Sequence, residues 1–442
     1  MTRFHRCAPP VSLADATLMP AVPEVPAPEQ LSRWPVTVRA LHHRNYRLFF
    51  CGQLISLSGT WMQQVAQGWL VLRLTGSPLL LGLVAAAASL PVLLLSIPAG
   101  ALVDRVSRHR LLVMTQVIAM LLALVLALLT FTNTVREWHI LVLAVSLGIV
   151  NAFDAPARQA FTVEMVGHAD LLNAIALNSS IFNAARTIGP ALAGIGVAAI
   201  GEGLAFLLNG LSFLAVIASL LMMRLPPFRP PPRRNRMEQL HEGMHYIVQE
   251  PIIRMLLLLA GVISLFGFVY VPLLPIFAHD VLHVGAQGLG WLAAAGGGGA
   301  LVAALLLARA GDQLPRMRMV LIASLLYPVF LIGFTMMTTL LSAMLLLALT
   351  GWAAVTTMAL INTLIQSVVP DALRGRVMSV FTLVLLGLSP LGGLAAGAIA
   401  EVVGNVPLVV TLSGIITAGM TIGILVRSPQ VLAETSRSIP GR

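Results

Sequence analysis

The sequence predicts an all-α polytopic membrane protein of twelve transmembrane helices in two six-helix halves. Three observations predict it. Of the 442 residues, 58% are hydrophobic and only 10% are charged, with a mean hydropathy of +0.91. A soluble chain carries about 25% charged residues, so this one has too few polar groups to clothe a water-exposed globule, and too much apolar weight for disorder over most of its length. The apolar residues also fall into long uncharged stretches. Twelve helices of about 20 residues consume about 240 residues, which leaves enough chain for loops and tails. Finally, several motifs recur about 200 residues apart, as the two halves of a duplicated chain would.

The elements follow in order. Residues 1–40 contain seven prolines and little periodicity. Asp15 and Pro20 interrupt their one apolar run, so the segment reads as a disordered cytoplasmic tail and not as a signal peptide. The N-terminal half, 41–223, holds spans at 48–72, 74–103, 111–135, 140–153, 171–201 and 203–223. The fourth reads short because it runs on into Asp154 and Arg158, and the fifth continues across Arg186. A cytoplasmic linker, 224–251, opens Pro/Arg-rich and continues as a stretch compatible with an amphipathic helix. The C-terminal half, 252–427, holds spans at 255–279 and 281–308, then an uncharged stretch of 52 residues, 319–370. That stretch is too long for one helix, and the polar cluster 335–342 divides it. Spans at 377–400 and 402–426 complete the twelve, and 428–442 form a cytoplasmic tail.

Every one of the 27 basic residues is Arg, and the net charge is +10. In a soluble protein such a balance would suggest nucleic acid; here the arginines collect on one side of a bilayer. With a cytoplasmic N-terminus, the inner loops hold Arg105, Arg108, Arg110, Arg158, Arg224, Arg254, Arg309, Arg316, Arg318, Arg374, Arg376 and others, and the outer ends hold Arg73 and Arg136. The positive-inside bias therefore places both termini in the cytoplasm, across a bacterial inner (plasma) membrane. The expected partners are the lipid bilayer and a small-molecule substrate, with no nucleic acid, and the protein is expected to be a monomer. Cys7 and Cys51 supply neither a disulfide framework nor a Cys-based metal site. No cofactor is implied.

The repeat is visible in detail. Asp104-x-x-x-Arg108-x-Arg110 follows span 2, and Asp312-x-x-x-Arg316-x-Arg318 follows span 8 at an offset of 208. Pro190 in span 5 and Pro390 in span 11, each among small residues, are offset by 200. Six spans per half is an even number, so the halves share one topology and are related by an axis along the membrane normal.

Gly100-x-x-x-Asp104-Arg105-x-x-Arg108-x-Arg110 resembles the loop signature of the major facilitator superfamily, although Ser107 and His109 depart from it. The resemblance covers about residues 45–427. The segments around Asp154-Ala-Pro-Ala-Arg158, Leu172-Asn173 and Asn183-Ala-Ala-Arg186-Thr-Ile-Gly189-Pro190 are similar to the branch containing the enterobactin (siderophore) exporter and macrolide efflux proteins. Against the antiporter signature of span 5, Ala185 and Ala193 replace two glycines. The resemblance implies the major facilitator fold and a secondary active transporter working by alternating access.

It also assigns roles. Asp104 is expected to meet the N-terminus of span 11, near Arg374 and Arg376, when the cytoplasmic gate closes; the helix dipole there favours an anion. The other reading is that Gly100, Asp104, Arg105, Arg108 and Arg110 anchor a tight inner loop and mark topology. Small residues let helices approach closely in lipid, and Gly189, Pro190, Gly194, Gly297, Pro390 and Gly393 are expected at surfaces on which the halves rock, or simply pack, through the pairs 2/11 and 5/8. Span 1 carries Gln53, Ser56, Thr60, Gln63 and Gln67 at steps of 3, 4, 3 and 4, one helix face. Such a face is costly against lipid, so it lines a cavity or bonds to neighbouring helices. In this family spans 1, 4, 7 and 10 line the cavity. That adds Asn151, Phe266, Tyr270, Trp352, Thr356 and Asn362, a lining suited to an amphipathic, largely uncharged substrate.

Asp154 and Arg186 lie deep in spans 4 and 5, each about 22 Å below the outer boundary at 1.5 Å per residue. An unpaired mid-span Arg costs about 2.5–3.5 kcal/mol on insertion scales, so Arg186 calls for a partner, Asp154 among the candidates. Asp154 alternatively pairs with Arg158, four residues on. As a carboxylate deep in a span it either carries a coupling proton or fixes spans 4 and 5 together. His241 and His245, at i and i+4, read as a solvated surface pair and not as a metal site. Nothing reads as an enzyme site or a nucleotide-binding motif. The function expected is an exporter of small amphipathic molecules, of drug or siderophore type, driven by proton antiport. The alternatives are an exporter dedicated to one lipid or metabolite, and a non-transporting membrane sensor or scaffold.

Overall fold

The computed structural model describes residues 36–103, 105–167, 169–225, 246–310 and 315–428. Asp104, Asp312, His241, His245, the linker stretch read as an amphipathic helix, the first 35 residues and the last 14 lie outside the described residues. Within them there is no strand. A short 3-10 helix, Val36–His42, precedes the first long helix. The long helices are α1 (Arg44–Thr75), α2 (Pro78–Val103), α3 (Arg108–Phe131), α4 (Glu137–Val166), α5 (Leu171–Ile200), α6 (Glu202–Leu221), α7 (Pro251–Val281, interrupted), α8 (Gly285–Ala310), α9 (Arg316–Thr335), α10 (Leu340–Val368), α11 (Asp371–Val403) and α12 (Val406–Val426).

Eleven of these are long and apolar enough to cross a membrane. The remaining one is α1, whose polar stripe lowers its hydropathy. It still runs the full depth of the bundle beside α6. At its start Arg44 donates to the Met222 carbonyl (3.2 Å) and Asn45 to that of Arg224 (2.8 Å). At its end Arg73 pairs with Glu202 at 2.8 Å. The face where α1 begins and α12 ends is called the terminal face below.

Local chemistry sets the boundaries. Gly76 and Gly404 close α1 and α11 at φ +64° and +68°, the left-handed conformation glycine adopts without penalty. α4 is 30 residues long, not the short span its uncharged stretch suggests, because Asp154 and Arg158 satisfy each other within it. The 52-residue stretch does divide, and Thr339 caps α10 by accepting from the Ser342 amide at 3.4 Å. α7 is broken by two π-helical segments, Ile263–Gly267 and Phe277–Val281, on either side of Pro272 and Pro275. Proline lacks an amide hydrogen, and the ladder around it re-pairs with wider spacing.

Within the N-terminal half α1 packs on α5 and α6, α2 on α4, and α3 on α4 and α6; in the other half α8 and α9 pack on α10, and α9 on α12. The halves meet along α5/α8 and α2/α11. Both contacts are made by backbone. A Cβ on Gly290 would lie 2.5 Å from the Gly194 Cα, and one on Gly297 would lie 2.6 Å from the Arg186 carbonyl oxygen. A Cβ on Gly397 would lie 2.5 Å from the carbonyl of Pro78, and one on Gly82 would lie 2.6 Å from that of Gly393. The glycine run of α8 serves two neighbours: Gly297 faces α5, while Gly299 abuts the Ala348 carbonyl of α10.

Candidate functional site

The halves part toward the terminal face. One side of α5 comprises Ile175, Ser179, Phe182, Arg186, Gly189, Ala193 and Val197, spaced as a single helical stripe. Its far end is buried: Ala193 is 0% exposed and Gly189 and Val197 are also buried. Its near end is open, with Ile175 53% and Phe182 47% exposed. The facing stripe of α8 does the same: Gly290, Ala294 and Gly297 are buried, and Leu305 and Ala308 are exposed. A cleft therefore opens between the halves on the terminal face and ends near Arg186. At the opposite face the halves are joined. Glu401, at the end of α11, accepts from the Ser77 hydroxyl (2.7 Å) and the Leu79 amide (3.2 Å) at the start of α2. A carboxylate there meets the positive end of the α2 dipole. Trp69 and His279 also pack ring to ring across the halves at 5.8 Å.

Asp154 is the centre of a buried polar network beside the cleft. It is 3% exposed. Its Oδ1 accepts from Thr115 and Gln116 of α3, both at 2.8 Å. Its Oδ2 is paired with Arg158, one turn along α4. Arg158 in turn donates to Gln53 of α1 at 2.8 Å, while its Nε is buried without a partner. One carboxylate thus ties α1, α3 and α4 together. Asp154 does not pair with Arg186: its oxygens are taken by α3 and α4. The α5 residue instead lies over the Trp61 ring of α1, 5.7 Å from the centroid.

The polar stripe of α1 divides among three surroundings. Gln53 meets Arg158. Gln63, 7% exposed, accepts from Asn209 of α6 at 2.6 Å. Ser56 is buried. Thr60 is exposed and donates to its own helix at the Ser56 carbonyl (3.0 Å), and Gln67 is half-buried. Gln63 is therefore engaged in helix–helix bonding, and Thr60 remains free to face the cleft. Of the other expected lining residues, Asn151 is exposed, Phe266 and Trp352 are half-buried, and Asn362 is half-buried with its amide oxygen accepting from Gln366 at 2.7 Å. Tyr270 and Thr356 are buried, and the Thr356 hydroxyl has no partner. Pro390 and Gly393 are buried on α11.

Around the α2–α3 connection, Gly100 at the end of α2 is buried, and Arg105 in the loop and Arg110 at the start of α3 are exposed. Arg108 pairs with Glu164 near the end of α4, and Ser107 caps α3. Arg374 donates to the Gln366 carbonyl at 3.0 Å, and Arg376 is half-buried. Between α4 and α5, Asp170 bonds to Arg39 (2.6 Å) and His43 (2.8 Å). Burial pushes its carboxyl upward, but the bonds from His43 and Arg39 outweigh this and hold it below the usual carboxylate range. Sequence reasoning missed Glu164, Glu401, Thr115, Gln116 and Asn209. The two acids carry no motif, and the amides and hydroxyls become informative only once their helices are placed side by side.

Residues 36–440 match the family described as transmembrane secretion effectors. The chain is 27% identical over 364 residues to the staphyloferrin A transporter of Staphylococcus aureus (strain NCTC 8325 / PS 47), covering 81% of this chain and 90% of that one. It is 27% identical over 370 residues to the multidrug efflux pump Tap of Mycolicibacterium fortuitum, covering 81% and 89%. Among solved structures, a bacterial homologue of the human lysosomal transporter Spinster, in an inward-facing and unoccupied conformation, superposes with a TM-score of 0.65 at 16% identity, covering 92% of this chain and 98% of the other.

Proposed function

The chain belongs to the transmembrane secretion effector family of major facilitator transporters, and from that premise we propose that it is an alternating-access exporter of small amphipathic molecules, driven by proton antiport. It acts as a monomer in the bacterial inner membrane with both termini in the cytoplasm, the side that collects its arginines. The observation that carries this reading is the one-sided cleft: open between α5 and α8 at the terminal face and sealed at the other, as a site that loads from the cytoplasm requires. The siderophore and drug specificities of the relatives support the same substrate class.

In this reading the α5/α8 and α2/α11 contacts are the rocking surfaces. Their small residues interpose no side-chain ridges, so one half can reorient on the other. Glu401 latches the outer side in the present state, and Asp104 takes the matching role at the N-terminus of α11 when the cytoplasmic side closes. Asp154 carries the coupling proton. Its carboxylate is held by Arg158, Thr115 and Gln116, and Arg158 is tied in turn to Gln53 of α1, so the site is linked to three helices of the half that moves.

Everted membrane vesicles containing the protein test this. Energised vesicles accumulate amphipathic fluorescent dyes above the level of vector vesicles, and nigericin, which collapses the pH difference, abolishes the accumulation. Accumulation that survives nigericin refutes proton antiport, and no accumulation of any dye refutes export.

A further inference from the structure

Arg186 is a cation in the bundle interior that meets an aromatic ring and not an acid. It sits midway along α5, Leu171–Ile200. Among the described residues its guanidinium makes no ion pair, and the nearest acid of the N-terminal half's interior, Asp154, is fully engaged elsewhere. A mid-membrane cation without an acid is a site awaiting one. Its surroundings say what kind. Trp61 offers a π face at 5.7 Å, and Phe182, one turn earlier on the same stripe, stands edge-on to Trp61 at 5.5 Å. The indole neutralises no charge and accepts no in-plane hydrogen bond, so the N–H fork stays available. Across the interface, Tyr270 and Tyr327 of the other half lie within electrostatic reach of the same guanidinium. The Tyr327 hydroxyl is buried with no hydrogen-bond partner. Arg186 is also placed where a substrate would stop: it is the last residue of the α5 stripe before the backbone contact with Gly297 seals the cleft.

We infer that Arg186, Trp61 and Phe182 form the anchoring site for an acidic group on the exported molecule, so that the transported species are amphipathic, preferably aromatic, anions. A guanidinium binds a carboxylate through two parallel hydrogen bonds, and the paired rings take the adjoining apolar part. This inference rests on the exporter reading and narrows it, away from the largely uncharged substrate that the lining residues alone suggest.

Two dyes on one xanthene scaffold test it: the anion carboxyfluorescein and the cation rhodamine 123. Binding to the full-length protein in nanodiscs is measured by fluorescence polarisation, and movement is measured in everted vesicles. The wild type binds carboxyfluorescein more tightly. Arg186→Gln weakens that binding about tenfold or more, the worth of a charge-assisted bond, and leaves rhodamine binding unchanged or tighter. Arg186→Lys keeps the charge but loses the fork, so it weakens carboxyfluorescein by less; it also keeps the test open should Arg186→Gln lower the thermal unfolding midpoint. Equal loss of both dyes in a folded variant, or a wild-type preference for the cation, overturns the inference. If the cation is bound and moved while the anion is not, the exporter reading stands and this one falls. If the wild type binds and moves neither dye, both fall.

Discussion

Asp154 is where a single residue carries most of the consequence. A carboxylate 3% exposed in a membrane helix costs stability unless its bonds are complete, and here three donors complete them. Arg158 depends on it equally, since its Nε already lacks a partner. Asp154→Asn keeps an acceptor for Thr115 and Gln116 but sets an amide N–H₂ or a neutral oxygen against Arg158. Breaking a buried pair from one side costs about 3–5 kcal/mol, and less here because Arg158 is 29% exposed. The expected outcome in proteoliposomes is loss of concentrative uptake under an imposed pH difference, with substrate exchange at equal pH retained. Adding Arg158→Gln restores the unfolding midpoint without restoring proton drive. If Asp154→Asn still concentrates substrate, the carboxyl is not the coupling group. If the double variant recovers both stability and concentrative uptake, the network is only a brace between α1, α3 and α4. The acid and its i+4 arginine are readable in the sequence; Thr115 and Gln116 are not, because hydroxyls and amides on apolar helices carry no mark of what faces them.

At the scale of elements, α5 and α8 are distinguished by how closely they approach. Gly290 and Gly194 meet backbone to backbone, and Gly196, two residues further along α5, has nothing within 4 Å of where its Cβ would stand. Gly290→Ala places a methyl 2.5 Å from the Gly194 Cα, so the helices must separate, at about 1–3 kcal/mol for an overpacked contact. It should slow transport and lower the unfolding midpoint. Gly196→Ala should do neither, since alanine is favoured over glycine within a helix by about 1 kcal/mol. Equal tolerance of the two substitutions would mean that the contact is not a tight sliding surface. Both glycines look alike in the chain; only the neighbour of each separates them. The same holds for α7, whose prolines announce a distortion but not its form. The π segment at Ile263–Gly267 pushes the Leu265 carbonyl to within 1.8 Å of a Cβ position on Gly392 of α11, which is why a glycine stands there.

For the whole molecule, the state of the cleft is the property to test. The halves are held at the face opposite the termini by Glu401 on Ser77 and the Leu79 amide. With Cys7 and Cys51 replaced by serine, Ser77→Cys/Glu401→Cys joined by a short bismethanethiosulfonate linker should trap the cleft in its present form. Transport should stop on cross-linking and return with reductant. Undiminished transport by the linked protein would show that the halves need not part there, and alternating access through this face would be wrong.

Composition, the uncharged stretches, the arginine bias and the repeat at about 200 residues were enough to set the class, the span count and the two-half plan, because each is a sum over many residues that the bilayer imposes on any chain crossing it. The loop motif after α2 and the segments around Asp154 and Arg186 were enough to indicate the family. Partnership was left to the tertiary structure. Whether Asp154 met Arg158 or Arg186, whether Gln63 faced a cavity or Asn209, and which acid closed the far face all depended on rotations and depths of separate helices. Helical spacing places residues on one face to within a turn, but it does not say which neighbour that face meets, and a hydrogen bond or ion pair is decided over distances shorter than that uncertainty.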